Sequence, residues 1–410
     1  MKRFLQSVKG FVLGMLLLSS ATLPALAKDV KIGLLIPLSG RYAETGISVR
    51  RGIEMILNDV NAAGGIKSMG GAKVNLVVAD NGSDPTKTSL EARRLMTEEK
   101  VSFILGPYST PESEAFRPIA ERYKVGGVGL QTTMIPNSQY LTMLSLTADA
   151  FGKGYADFVG WLRSKGAKVD PVVITYANND YGQGVAKSAQ EALQVMGIKV
   201  IEAIPVEPTV KDMTPIVLRV KSLKPALVIS VVYFQDGVLL HKARYNMNYD
   251  DPIWIGGAAG FTDDKLWNAL TDEVASKTLS RSFGLAFYSD DATLPGLKSA
   301  LARGHAAYPN VPLDPSFMFG VQAANLIVKA IENARSDDPA AVNDAFRSLR
   351  IPKGSPEIVL PIISGDFSFD KRGVSQGTNP LFVQWAAGKK AIVYPENVAS
   401  QKNPIIKGVK

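Results

Sequence analysis

Four groups of polar and aromatic side chains sit where apolar runs end, and their chemistry suits recognition of a small solute. The segment Ile104 to Ser113 (ILGPYSTPES) reads as a strand end turning into a helix, with Thr110 as N-cap and Pro111 at the first helical position. Unpaired N–H groups at a helix start favour an anion, and neutral hydroxyls can complete its shell, so Ser109 and Thr110 could hold a carboxylate. Ordinary capping accounts for Thr110, Pro111 and Glu112 equally well. The segment Gly129 to Met134 (GLQTTM) follows apolar Val125 to Val128 and offers Gln131, Thr132 and Thr133, either to a ligand or to the local backbone. Tyr181, in Asn178 to Gly184 (NNDYGQG), follows the run Val172 to Tyr176. Tyr233, Phe234 and Asp236, in Val231 to Gly237 (VVYFQDG), take the same position after another run. Aromatic residues there either line a site or close a core edge.

Motifs for bond-making chemistry are missing. The only histidines are His241 and His305, and neither belongs to an HExxH or other metal-spaced cluster. There is no GxSxG elbow, no GxxxxGK loop and no GxGxxG after a strand, and Gly256 to Gly260 (GGAAG) has the wrong spacing for a dinucleotide. His241 is expected on a helix surface, and Asp263-Asp264 and Asp337-Asp338 read as helix-start and loop residues. The expectation is a binding protein, not an enzyme, with no metal and no cofactor.

The elements that carry these loops alternate. Apolar runs at Val30 to Ile36, Val74 to Val78 and Val101 to Leu105 are separated by helical patterns near Val49 to Asn61, Lys87 to Glu98 and Glu112 to Tyr123. A second series follows: a helix near Phe151 to Ser164, strand Val172 to Tyr176, helix near Gly184 to Met196, strand Lys199 to Ile204, helix near Thr214 to Ser222, and strands Leu227 to Val232 and Ile253 to Ile255. Right-handed crossovers of this length predict an α/β fold with two parallel sheets covered by helices on both faces. In such sheets ligands bind beyond the carboxyl ends of the strands. Later, Leu279 to Phe287 reads as a strand, Phe317 to Asn333 as a helix and Phe367 to Gln384 as a hairpin-rich tail.

Residues 1–27 carry a basic start (Lys2, Arg3, Lys9), an apolar run Phe11 to Leu18 and the small-x-small triplet Ala25-Leu26-Ala27, which predicts a signal peptide cleaved after Ala27. The chain has no cysteine, so neither a disulfide nor a lipid-bearing cysteine is expected, and a free periplasmic protein follows. The formal charge of +8 falls to about +5 once Lys2, Arg3 and Lys9 leave, and the remaining charges are interspersed. No basic stripe with interleaved aromatics marks a nucleic-acid partner.

Taken in order, Ile32 to Gly40 (IGLLIPLSG), Asn61 to Ile66 (NAAGGI), Asp80 to Pro85 (DNGSDP), Gly106 to Ser109 (GPYS), Asp180 to Gly184 (DYGQG) and Gly365 to Asp370 (GDFSFD) resemble the leucine/isoleucine/valine-binding protein family. The resemblance spans nearly the whole mature chain. It implies a type I periplasmic binding fold, with two doubly wound lobes joined by three crossovers and closing on a small solute for an ATP-driven importer. The crossovers would lie near Ser145 to Ala150, Arg281 to Phe283 and Leu360 to Ile363. Residues 28–147 plus 284–360 would then form one lobe and residues 148–283 plus 361–410 the other.

By the same resemblance, Ser109 and Thr110 match the pair that holds a ligand carboxylate, Gln131 to Thr133 the segment that completes it, and Tyr181 the tyrosine of the second lobe. Tyr233 or Phe234 matches a further aromatic. Thr45 stands where relatives present an aromatic, a departure that leaves room, and Tyr42 and Tyr108 join the cleft. Ala258 or Ala259 stands where amino-acid binders place an acid for the ligand's ammonium. Enclosing an ammonium without a counter-charge costs several kcal/mol, against about 8 kcal/mol for micromolar binding. The expected ligand is therefore a small carboxylated solute, aromatic acids included; a branched-chain or other amino acid, or an amide, is the alternative, and Asp236 would supply the charge for an amino acid if it points inward. An ABC permease of the inner membrane is the implied partner of a monomer. A sensory subunit reporting the same solute is the competing reading.

Overall fold

The computed structural model describes residues 28–130, 132–257 and 259–409. The expected signal segment, Gln131 and Ala258 lie outside the described residues. Among the described residues no helix is long and apolar enough to cross a membrane.

The first lobe is built on β1 (Val30–Ile36), β2 (Val74–Asp80), β3 (Phe103–Leu105), β4 (Gly127–Gly129) and β5 (Leu141–Met143), in the order β2-β1-β3-β4-β5 and all parallel. Its helices include α1 (Ala43–Ala62), α2 (Pro85–Thr97) and α3 (Thr110–Tyr123). Leu34 pairs with Leu105, so the loops after β1 and β3 leave the same edge. β1 is buried at six of its seven positions, as a strand covered on both faces must be.

The second lobe carries β6 (Val172–Ala177), β7 (Val200–Val206), β8 (Leu227–Val231), β9 (Ile253–Gly257) and β10 (Ser282–Ala286), with α4 (Ala148–Ser164), α5 (Asp180–Val195), α6 (Thr214–Leu223) and α7 (Phe234–Asn246). Tyr176 pairs with Val231 and Val231 with Gly257, so the loops bearing Tyr181 and Tyr233 also share an edge.

A small antiparallel sheet of β11 (Arg350–Ile351), β12 (Ile363–Phe369) and β13 (Ser375–Thr378) precedes β14 (Leu381–Ala386) and β15 (Lys389–Tyr394). The second lobe's seven-stranded sheet runs β15-β14-β10-β9-β8-β6-β7. It is parallel except for β14 and β15, which run antiparallel at one edge.

Pairing moves two of the three lobe boundaries. All of β10 hydrogen-bonds within the second sheet, so the second crossover follows Ala286 instead of falling at 283/284. The third falls between Thr378 and Leu381 instead of at 360/361. The β12–β13 hairpin sits on the first lobe, where Gly373 accepts the Met143 N–H at 2.8 Å and Phe369 stacks on Phe346, itself against Phe103. A hairpin's alternation is the same wherever it docks. What draws this one is the open edge of β5, which Val374 bridges.

The helix Pro315–Ala334 belongs to the first lobe. A Cβ at Gly52 would lie 2.2 Å from the Phe317 carbonyl, and one at Gly320 would lie 2.1 Å from that of Val49, so only glycines let this helix and α1 pack so closely. His241 is fully buried in α7, not on its surface, between the Gly260 carbonyl and Arg244. Asp338 caps a helix, and Asp263 accepts the Lys265 N–H, both local turn chemistry.

Candidate ligand-binding cleft

The loop after β1 is held rigid before it reaches the cleft. Asp80, at the end of β2, accepts the N–H groups of Leu38, Ser39 and Gly82 and the Ser39 hydroxyl, while Ser83 accepts the Tyr42 N–H at 3.0 Å. These bonds aim Arg41 and Tyr42 at the opposite lobe. Burial alone would raise the Asp80 carboxyl, but the Ser39 hydroxyl, the backbone donors and Lys87 outweigh it and bring it down to about 2.

At the second loop, Ser109 rather than Thr110 is the N-cap of α3, and Ser109 and Glu112 form a reciprocal capping box. Glu112 accepts the N–H groups of Tyr108 and Ser109, each at 3.2 Å. Burial raises its carboxyl, and those donors offset part of the rise. This shift of one residue frees the Thr110 hydroxyl from capping. It lies 3.1 Å from the Thr132 hydroxyl and 3.3 Å from that of Thr133, and accepts the Thr133 N–H at 3.2 Å. The β3 and β4 loops thus meet in a cluster of hydroxyls at the start of a helix, suited to a carboxylate.

Opposite stand the aromatic residues. One pocket is lined by Tyr108, Ser109 and Thr110 from the first lobe, Tyr181 and Tyr233 from the second, and Phe151 and Phe287 from beside the crossovers. Phe151 packs edge-on against both Tyr181 and Phe287. Tyr233 lies 5.3 Å from Tyr181 and 5.0 Å from Tyr42, and Tyr42 lies 5.3 Å from Tyr108. Burial holds the Tyr108, Tyr181 and Tyr233 phenols well above their ordinary range, so they stay neutral donors. Tyr233 accepts from Asn179 at 3.2 Å. Among the described residues the buried Tyr181 and Tyr155 hydroxyls have no hydrogen-bond partner. Gly257 makes their space, since a Cβ there would meet the Tyr155 oxygen at 2.1 Å and lie 3.7 Å from that of Tyr181.

A second hollow, at the mouth, is lined by Arg41, Tyr42, Glu44, Thr45, Tyr108, Tyr233, Phe234 and Gln235. The lobes touch here. Arg41 meets Asp236 at 2.5 Å, and Lys265 of the second lobe meets Glu44 at 3.2 Å and Asp314 at 3.5 Å.

The chain belongs to the periplasmic binding protein family. A family model described as periplasmic binding protein matches residues 29–389. A Leu/Ile/Val-binding protein homolog 8 of Brucella suis is 29% identical over 96% of this chain and 97% of its own. Among solved structures, a branched-chain amino acid transporter substrate-binding protein of Streptococcus pneumoniae, in complex with isoleucine, has a TM-score of 0.75 at 21% identity over 89% of this chain and 99% of its own. A solute-binding protein of an ABC transporter from R. palustris, in complex with benzoate, has a TM-score of 0.76 at 17% identity over 93% and 98% of the two chains. One from Rhodopseudomonas palustris BisB5, in complex with 3,4-dihydroxybenzoic acid, has 0.75 at 20% identity over 88% and 95%. The fold of this binding protein is that of the type I periplasmic binding proteins of the Leu/Ile/Val-binding family.

Of the residues singled out in the sequence of this periplasmic binding protein, Tyr108, Ser109, Thr110, Tyr181 and Tyr233 come together in the pocket, with Thr132 and Thr133 behind Thr110. Tyr42, Thr45 and Phe234 line the mouth. Thr45 lies in the first turn of α1, buried against the Tyr108 hydroxyl, and lines the hollow at the mouth together with Tyr42. Ala259 begins the short helix Ala259–Thr262 and does not line the pocket. Asp236 is turned to Arg41. Burial raises its carboxyl and Arg41 counters part of the rise. Sequence reasoning missed Phe151, Phe287 and Arg41, although Phe287 directly follows a strand end, the position that marked the others.

Proposed function

We propose that this periplasmic binding protein captures a small aromatic carboxylate between its lobes and delivers it to the ABC permease of an importer in the inner membrane, without altering it. The pocket's make-up carries the reading: a hydroxyl-bearing helix start on one lobe faces a box of neutral phenols and phenyl rings, suited to a carboxylate attached to a flat ring. The benzoate and dihydroxybenzoate complexes of proteins with the same fold support it. The signal-like residues 1–27 agree with a periplasmic location. Closure would follow from ligand contacts that only the closed form makes on both lobes.

The test is to denature the purified protein and identify any released small molecule by mass spectrometry, then to measure thermal shifts with benzoate, hydroxybenzoates and branched-chain amino acids. A ligand at about 100 times its dissociation constant adds about 2.7 kcal/mol to stability. Stabilisation by leucine or isoleucine, with none by any aromatic acid, would show the ligand class to be wrong.

A further inference from the structure

The acids bordering the cleft are Glu44, Glu112 and Asp236, and each is already engaged. Glu112 accepts two backbone N–H groups of its own capping box through Oε2, its Oε1 being buried without a hydrogen-bond partner among the described residues, and Glu44 meets Lys265. Asp236 is the one of the three carried by the second lobe, directly after the mouth residues Tyr233, Phe234 and Gln235. It occupies the first turn of α7, its side chain is 2% exposed, and its Oδ2 is buried with no hydrogen-bond partner among the described residues. Its Oδ1 lies 2.5 Å from Nη2 of Arg41, which reaches it from the first lobe. The two residues stand on opposite lobes, so the pair exists only when the cleft is shut.

We infer that Arg41 is the residue that sets the ligand class of this cleft: by crossing to Asp236 on closure it neutralises the acid that would otherwise recruit an ammonium, and so directs the site to acids that lack an amine. This rests on the reading of the cleft as an aromatic-acid site. A buried ion pair presents almost no net charge to a third group, whereas a buried carboxylate deprived of its partner strongly favours any cation that can reach it. A carboxylate without an amine needs no such partner, because hydroxyls and backbone N–H groups of the first lobe serve it. Arg41 lines the mouth and not the inner pocket, so it acts through Asp236 and not as a contact to the bound ring.

Two ligand pairs differ only by the α-ammonium: phenylacetate with phenylglycine, and 4-methylpentanoate with leucine. Dissociation constants for all four are measured by calorimetry on the wild type, Arg41→Ala, Arg41→Lys and the double variant Arg41→Ala/Asp236→Ala, each checked for folding by circular dichroism. The wild type is expected to prefer the amine-free member by about tenfold or more. Arg41→Ala should cut that preference by about tenfold, and Arg41→Lys should retain it. The double variant should restore the preference while binding both members more weakly, a reversal that a merely structural role of Arg41 would not produce. An unchanged preference in a folded Arg41→Ala protein that still binds phenylacetate overturns the inference alone, as does a wild type that prefers the amine. Binding of neither aromatic ligand, with binding of 4-methylpentanoate, overturns the aromatic reading and leaves the Arg41 comparison to be read on the aliphatic pair. Binding of none of the four overturns both.

Discussion

The rings of Tyr42 and Tyr233 meet across the cleft with centroids 5.0 Å apart, one carried by each lobe. Tyr42 is aimed there by the Asp80 and Ser83 bonds of the loop after β1, and Tyr233 by its place just before α7. Such a ring pair contributes about 0.5–1.5 kcal/mol beyond its buried area. Tyr42→Ala is therefore expected to weaken ligand binding by about tenfold and to enlarge the radius of gyration of the ligand-free protein in small-angle scattering. An unchanged radius and affinity would mean that the contact plays no part in closure.

Thr110 holds the β4 loop to α3 by accepting the Thr133 N–H. Thr110→Val keeps the shape but leaves that buried donor unpaired, at a cost of about 1–3 kcal/mol in denaturant unfolding. Affinity for a carboxylate ligand should fall as well. Thr110→Ser retains the hydroxyl and should recover most of both, which separates the lost bond from lost packing.

Tyr181→Phe is expected to behave in the opposite way. The Tyr181 hydroxyl is buried without a hydrogen-bond partner among the described residues, so its removal should leave unfolding stability unchanged or slightly raised. If the ligand's polar group uses that hydroxyl, affinity should drop about tenfold. Loss of stability without loss of affinity would assign the hydroxyl to the fold.

Acid should loosen the first loop. The Asp80 carboxyl stands at about 2 against an ordinary 3.8, a depressed folded-state value, so its contribution is fully present above about pH 4 and is lost as the pH falls towards 2. After allowance for solvent screening it amounts to about 1 kcal/mol. His241 is also depressed, by burial first and by Arg244 second, which keeps it neutral in the fold while the unfolded chain takes up a proton below about pH 6.5. His241 therefore takes stability away as the pH drops from 7 to 5, the raised Glu112, Asp236 and Asp263 carboxyls add it over the same range, and Asp80→Asn should remove only the decline below about pH 4. A urea series across pH 2–8 on both proteins checks this, and an Asp80→Asn profile parallel to the wild type down to pH 2 would refute the assignment.

Much of the molecule was legible in the chain because local patterns carried it. Buried parallel strands read as continuous apolar runs, and Val30–Ile36, Val172–Ala177 and Leu227–Val231 appear where those runs lie. Polar and aromatic residues after strand ends led to Tyr108, Ser109, Thr110, Tyr181 and Tyr233, because a parallel sheet delivers all such ends to one edge. Helix starts were less legible, since the helix read from Val49 begins at Ala43 and the one read from Gly184 begins at Asp180, and the one-residue error at the Thr110 cap mattered, because capping by Ser109 leaves the Thr110 hydroxyl to the β4 loop.

Sequence alone thus determined two α/β lobes, a site at their strand ends and the type of side chain found there, all of which follow from short-range periodicity and chain order. Tertiary structure decided what no window of sequence contains: which lobe the β12–β13 hairpin joins, that His241 is buried, and that Tyr42 and Thr45 meet Tyr233 of the other lobe around one hollow at the mouth. It also decided the partner of Asp236. Arg41 lies 195 residues away and on the other lobe, and only the packing of the two lobes against each other brings the two charges together.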